Sequence, residues 1–297
     1  MRTHRRPILR RLALAATLAA AVSTLAQAVA AEPAHEDVVV RFAVLGDAEP
    51  KPDPVFPGLA AAVRDVNALA ARGRIDFVVG VGDLAHRGTV VQYENATAVL
   101  QRLDPPFYPI MGNEEHDATV ARYLDYAGRW NAEITSTRYV RDRGPVVMVH
   151  ASPDHGRDFE DDGIDWILAQ VRTVAPRPVF LVVHAARAGA YPENAGKGVH
   201  HPRFAEVVAE PNLAVVISGD LHMDMDRVVH SRAIGHVHHL HIPALERTKI
   251  PDKTRHAPMF RVFSITGAGE VRVDTYRTGD PEPLARHAYT FSLPAPN

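Results

Sequence analysis

No cysteine occurs among the 297 residues. Thiolate metal sites, zinc-finger folds and thiol nucleophiles are therefore excluded, and disulfides contribute nothing to stability. No internal repeat is visible, and no linker is long enough to divide the chain beyond residue 31. Residues 32–297 are therefore expected to form one domain with one large core. Surplus positive charge is also missing. Five Arg and no acid lie in the first 31 residues, so the remainder carries 28 Lys and Arg against 35 Asp and Glu, a formal charge of −7. A binder of nucleic-acid backbone needs a positive surface, so no nucleic-acid partner is expected. A small phosphorylated substrate stays open, because bound metal ions can invert the local field.

Long apolar runs are scarce as well. Residues 12–25 form an Ala- and Leu-rich stretch that is short for a membrane span, so no stable span is expected. Arg2, Arg5, Arg6, Arg10 and Arg11 precede it, and Ala28, Ala30 and Ala31 follow. A basic front, an apolar middle and small residues at the end make the pattern of a secretory signal peptide over residues 1–31. The Arg10-Arg11 pair also permits twin-arginine export. The expected location is periplasmic or extracellular. Residues 32–37 read as a frayed leader.

The remaining chain alternates strand and helix signals. Val38–Leu45 is a β-branched apolar run that stops at Gly46. Leu59, Val63, Val66 and Ala70 recur at helical spacing and end at Gly73. Strands are expected at 76–81 and 107–111, with a helix at 91–103 between them. Val120, Leu124 and Tyr126 suggest another helix. Residues 137–141 and 146–151 read as strands around a turn. A helix over 161–174 carries Ile164, Ile167, Leu168, Val171 and Val174 on one stripe, with acids at its favourable end. Strands 178–183 and Leu213–Ser218 flank a helix near 202–209. The tail is β-rich, with strand signals at Val229, 260–266, 270–276 and 289–293. Strand–helix units followed by β-rich material fit an α/β fold of two packed sheets with helices outside.

Short polar motifs follow these apolar segments: Gly46-Asp47-Ala48-Glu49, Gly82-Asp83, Gly112-Asn113-Glu114, His184 and Gly219-Asp220-Leu221-His222. Asp47 and Glu49 alternate in extended backbone, so both carboxylates can reach one ion. Asp83 follows glycines that permit a turn and close approach, and a carboxylate there can bridge two cations. Asn113 offers an amide oxygen to a hard cation without adding charge. Asp220 and His222 repeat the alternate spacing. Each motif alone has a plain structural explanation, as a turn, a cap or a satisfied buried histidine. As an ordered series they suggest a centre for two divalent ions roughly 3.5–4 Å apart that share a bridging hydroxide.

The order and spacing resemble the calcineurin-like metallophosphoesterase superfamily, from Val38 to about Tyr276. The resemblance implies a four-layer α/β/β/α sandwich with two packed mixed sheets. It implies Asp47, Asp83, Asn113, His184 and His222 as metal ligands, with Asp83 as the bridge. Three positions depart from its pattern. Glu49 and Asp220 stand where the family has ligating histidines. Glu114 stands where it has a histidine that donates a proton or steadies the phosphate. The extra carboxylates favour Mn or Mg over Zn, with Ca also accommodated. His116 can serve as the acid in place of Glu114 if the loop bulges by two residues. The segment Gly235–His241 offers a second Gly-His-x-His, but it reads better as a polar, exposed strand or loop. Arg87 and His86 are further candidates near the phosphate and behind the ligands.

The expected activity is metal-dependent hydrolysis of a phosphate monoester or diester. A noncatalytic metal- or ligand-binding protein on the same scaffold is the alternative, and a hydrolase for non-phosphate esters is a third reading.

Overall fold

The computed structural model describes residues 37–194 and 196–294; the segment read as a signal peptide lies outside them. In chain order the elements are β1 (Val38–Leu45), α1 (Pro57–Ala70), β2 (Phe77–Gly80), α2 (Val90–Leu100), β3 (Phe107–Pro109), α3 (Val120–Trp130), β4 (Arg138–Asp142), β5 (Val147–Ala151), α4 (Asp161–Thr173), β6 (Val179–Val183), α5 (Phe204–Ala209) and β7 (Leu213–Ser218). Strands β8 (Ser231–Ile234), β9 (Val237–His241), β10 (Met259–Thr266), β11 (Glu270–Arg277) and β12 (Tyr289–Ser292) complete the order.

The strands form two sheets of six, ordered β12-β11-β10-β1-β2-β3 and β4-β5-β6-β7-β9-β8. Both are mixed. In the first, β1, β2 and β3 run parallel and β10 joins β1 antiparallel. In the second, β5, β6, β7 and β9 run parallel between antiparallel edge strands.

Alternation along β1 shows how the layers arise. Phe42 and Val44 point into a core shared with Met148, Phe180, Val182 and Ile217 of the other sheet. Ala43 and Leu45 point the opposite way, against Leu59, Val63 and Val66 of α1. The second sheet repeats the scheme. Val147, Val149, Leu181 and Val183 pack beneath Ile164, Ile167 and Leu168 of α4 and Phe204 of α5. Strands buried on both faces read as unbroken apolar runs for this reason. The result is the four-layer α/β/β/α sandwich that the family resemblance implies. Phe42 stacks on Phe77 at 4.9 Å and on Phe263 at 4.8 Å, and meets Phe180 of the opposite sheet edge-on at 6.5 Å.

The tail departs from the sequence reading at two places. From Val237 on, the histidine-rich stretch is a strand, as one of the two readings had it, but not an exposed one. It is β9, paired with β7 and β8, with His239 and His241 buried. The strand signal at Val229 belongs two residues later, in β8. Among the described residues, no helix is long and apolar enough to cross a membrane.

Candidate metal centre

The loops leaving β1, β2, β3, β6 and β7 converge where the two sheets meet. The convergence is built from backbone contacts. Ala48 N donates to Asp83 O at 3.0 Å, and Gly219 N donates to His184 O at 2.8 Å. Across the sheets, Asp220 N donates to Asp47 Oδ1 at 3.0 Å, and His184 Nδ1 lies 2.8 Å from Val81 O. A carbonyl can only accept, so His184 Nδ1 carries a proton and Nε2 turns inward. His222 follows the same rule. Its Nδ1 donates to Arg247 O at 3.0 Å, which leaves Nε2 facing the centre.

Backbone strain is concentrated at the same place. Asp83, Asp220 and His222 have φ of 51°, 68° and 49°, left-handed values that non-glycine residues seldom adopt. Two glycines let the loops close. A Cβ on Gly112 would lie 2.3 Å from Asp83 Oδ1, and one on Gly219 would lie 2.6 Å from Asp47 Oδ2. Only a residue without a side chain permits these approaches.

Asp47, Glu49, Asp83, His184, Asp220 and His222 are all buried. Their ligand atoms gather into two clusters that share Asp83: Asp47–Asp83–His184 and Glu49–Asp83–His222, each with its donor atoms within 4.8 Å of one another. His184 Nε2 lies 3.1 Å from Asn113 Oδ1, 3.4 Å from Asp83 Oδ1 and 3.8 Å from Asp220 Oδ1. Asn113 and Asp220 therefore belong to the first cluster.

Burial without full neutralisation distorts the charges. Desolvation raises Asp47 to about 7, with Asp83 and Asp220 adding to the rise against the pull of His184. Desolvation likewise raises Asp83 to about 6. Burial opposes a charge on His184, but Asp83, Asp220 and Asp47 outweigh it and lift the ring to about 9. His222 moves well below its ordinary value, through burial first and then the Lys249 charge.

The first cluster suits a cation. Asp220 Oδ2 and the shared Asp83 Oδ2, like Glu49 Oε2 of the second cluster, are buried with no hydrogen-bond partner among the described residues. An unpartnered buried carboxylate oxygen is unfavourable, and an ion between the two Asp oxygens and His184 Nε2 would satisfy them. The second cluster is different. Lys249 Nζ lies 2.9 Å from His222 Nε2 and 3.3 Å from Glu49 Oε1, and Arg247 Nη2 donates to the same Glu49 oxygen. Lys51 Nζ contacts Glu49 Oε2 at 2.7 Å and Glu114 Oε1 at 2.9 Å.

Residues 40–224 match the calcineurin-like phosphoesterase family. The chain belongs to that family. A probable cyclic nucleotide phosphodiesterase of Rhodopseudomonas palustris is 28% identical over 131 residues, 42% of this chain and 47% of that protein. The chain thus spans about half the length of the curated relative it matches. Among solved structures, the purple acid phosphatase PPD1 of yellow lupin seeds superposes with a TM-score of 0.61 at 13% identity, covering 86% of this chain and 54% of that one. GAP50, the anchor in the inner membrane complex of Plasmodium, gives 0.59 at 12% identity, covering 86% and 88%. At these identities the likeness is one of fold.

In this member of the family, the seven ligand candidates from the sequence lie around one centre, and the two acid candidates lie in the adjoining loop. Glu114 accepts from Lys51, from His86 Nδ1 at 2.6 Å and from Arg87 N at 3.0 Å. Burial opposes its charge, but these donors win and hold it near 2, so it is a carboxylate. His116 sits in a short 3₁₀ turn with Nε2 3.0 Å from Pro153 O.

Glu115 has a role that sequence reading missed. Its carboxylate takes the N–H groups of Asp83 at 3.0 Å, Ala85 at 2.8 Å and Gly112 at 2.7 Å, tying two ligand loops together. The basic residues were also missed: Lys51, Arg247, Lys249, and Arg157, whose Nε donates to Asp220 Oδ1 at 2.6 Å. The one local signal is alternate spacing, with Lys51 two residues past Glu49 and Lys249 two past Arg247.

Proposed function

We propose that this chain hydrolyses a phosphate monoester or diester of a small phosphorylated substrate, assisted by divalent metal. The observation that carries the reading is the buried Asp47–Asp83–His184 cluster, with Asn113 and Asp220 beside it and two carboxylate oxygens lacking partners. Those five residues would hold an ion. When bound, such an ion supplies Lewis acidity and positive charge against the phosphoryl oxygens.

The protein's own groups do the rest. Lys51 and Arg157 keep side-chain exposures of 28% and 34%, so they face both the centre and solvent. They can receive phosphate oxygens and set the ester's orientation. Glu114 is a charged acceptor and would orient His86 rather than donate a proton. Proton delivery to the leaving oxygen then falls to a histidine, His116 or His86. The oxygen-rich donor set favours Mn or Mg over Zn and leaves room for Ca. Elemental analysis of protein purified without added metal or chelator tests that preference; zinc retained against excess Mn overturns it.

The deciding experiment uses p-nitrophenyl phosphate and bis(p-nitrophenyl) phosphate. Hydrolysis that a chelator abolishes and Mn restores is expected. Retained metal with no turnover across a broad ester panel would favour the second reading, a binding protein on the same scaffold. One observation supports that reading: cationic side chains already neutralise Glu49 and Asp220. The expected export belongs to the same proposal. N-terminal sequencing of secreted protein should begin near Ala31 or Glu32, and a cytoplasmic product that keeps Met1 would refute it.

A further inference from the structure

The two clusters share Asp83 but meet different neighbours. In the first, the inward His184 Nε2 faces only oxygen atoms, those of Asn113, Asp83 and Asp220. In the second, the inward His222 Nε2 faces Glu49 Oε1 at 3.4 Å and Asp47 Oδ1 at 3.6 Å, and closer still an ammonium group, Lys249 Nζ at 2.9 Å. A neutral imidazole nitrogen has one lone pair. It can accept from Lys249 or bind a metal, and it cannot do both.

Glu49 leads to the same conclusion. Its side chain is fully buried, yet three cationic side chains converge on it. Lys249 and Arg247 take Oε1, and Lys51 takes Oε2. Oε1 thus accepts from two cations, and Oε2 stands beside a third while receiving no hydrogen bond among the described residues.

The backbone of Lys249 is held beside His222. Lys249 N donates to His222 O at 2.9 Å, and Ile250 N reaches the same oxygen at 3.3 Å. Arg247 O accepts from His222 Nδ1 at 3.0 Å. Met223 and Ile250 pair as a parallel bridge. The segment from Arg247 to Ile250 is thus laced to the loop that presents His222. The same lacing that turns His222 inward delivers Lys249 to its lone pair.

We propose that Lys249, backed by Arg247, takes the place of the second divalent ion, so that this chain binds one ion, at Asp47–Asp83–His184, beside a fixed organic cation. The inference rests on the metal-dependent reading above and narrows it. A lysine ammonium is a compact point charge with three donors. Here it supplies positive charge next to the remaining ion's ligands without being removable by a chelator.

Equilibrium dialysis against Mn²⁺, followed by elemental analysis of the full exported chain, tests this. One Mn²⁺ per chain is expected for the parent protein. Lys249→Met, alone or with Arg247→Met, should bind two, the second at least tenfold tighter than any second ion on the parent. Lys249→Arg keeps the positive charge and should return the count to one. Circular dichroism and thermal melting of each variant establish that it is folded. Two ions on the parent protein, with a second affinity unchanged by Lys249→Met, overturn the inference and leave metal-dependent hydrolysis standing. No Mn²⁺ on the parent overturns both. A folded Lys249→Met protein that still binds one ion also overturns it, because the lysine is then not what excludes the second.

Discussion

At the scale of single residues, Asp83 carries the most. Its carboxylate belongs to both ligand clusters, it accepts Glu114 N at 2.9 Å through Oδ1, and its Oδ2 has no partner among the described residues. Asp83→Asn is a clean probe, because asparagine tolerates the left-handed backbone there while removing the charge. The variant should lose bound metal and at least about 10²-fold in turnover, consistent with removal of a site's central ligand. Elemental analysis beside aryl phosphate hydrolysis checks it, and an Asp83→Asn protein that keeps its ion refutes the assignment. A second residue-level prediction concerns the proton donor. With a poor leaving group, His116→Ala or His86→Ala should slow single-turnover phosphate release by about 10²-fold while metal content is kept. Glu114→Ala should be milder. If neither histidine matters, the donor lies elsewhere. The acidic and imidazole ligand candidates were legible in the sequence because each ends an apolar run. The cations were not. Lys249 meets Glu49 across 200 residues of chain, and no local pattern announces such a pairing.

At the scale of elements, legibility follows burial pattern. β1, β6 and β7 are buried on both faces, so they appear as β-branched runs that stop where a functional residue begins. β9 was misread because its histidines look solvated, whereas pairing with β7 and β8 buries two of them. β5 hides a similar case. His150 is fully buried, stacks on Tyr139 at 4.6 Å, and has no hydrogen-bond partner at either ring nitrogen among the described residues. Burial, helped by Arg141 and Arg143, lowers it to about 3. The folded protein thus holds His150 neutral while the unfolded chain protonates it near pH 6.5. Its contribution is whole above pH 6.5 and is lost progressively as pH falls toward 3. His150→Phe keeps a ring against Tyr139 and removes the titration. Relative to the parent, its unfolding free energy should rise by about 2 kcal/mol between pH 7.5 and pH 5, from 1.36 kcal/mol per pH unit below 6.5. Urea unfolding at the two pH values measures it. An unchanged difference would mean that His150 is protonated inside the fold.

At the scale of the whole molecule, the candidate metal centre is also a joint. The two sheets share a core of apolar side chains, and at its edge they are tied by Asp220 N to Asp47 and by His184 to Val81 O. Placing several carboxylates there sets stability against pH. Asp47 and Asp83 titrate near 7 and 6 in the folded protein, above the ordinary value of 3.8, mainly through burial. Between about pH 4 and pH 7 these two carboxylates therefore hold more protons in the folded chain than in the unfolded one, and their contribution to stability falls as pH rises through that window. A divalent ion at the first cluster supplies the missing positive charge in place of those protons. Metal should therefore stabilise strongly at pH 8, where both carboxylates are ionised, and weakly at pH 5, where protons compete. At a free Mn²⁺ concentration of 100 times the dissociation constant, linkage gives about 2.7 kcal/mol, or roughly 5–10 °C for a domain of this size. The measurement is the difference in melting temperature between Mn²⁺-loaded and chelated protein at pH 8 and pH 5. Taking that difference cancels the acid sensitivity of the buried histidines outside the centre, such as His150. Asp83→Asn should show almost no metal-dependent shift at either pH. Equal shifts at pH 5 and pH 8 would place the ion outside the buried carboxylates, and no shift at pH 8 would remove the metal from the centre altogether.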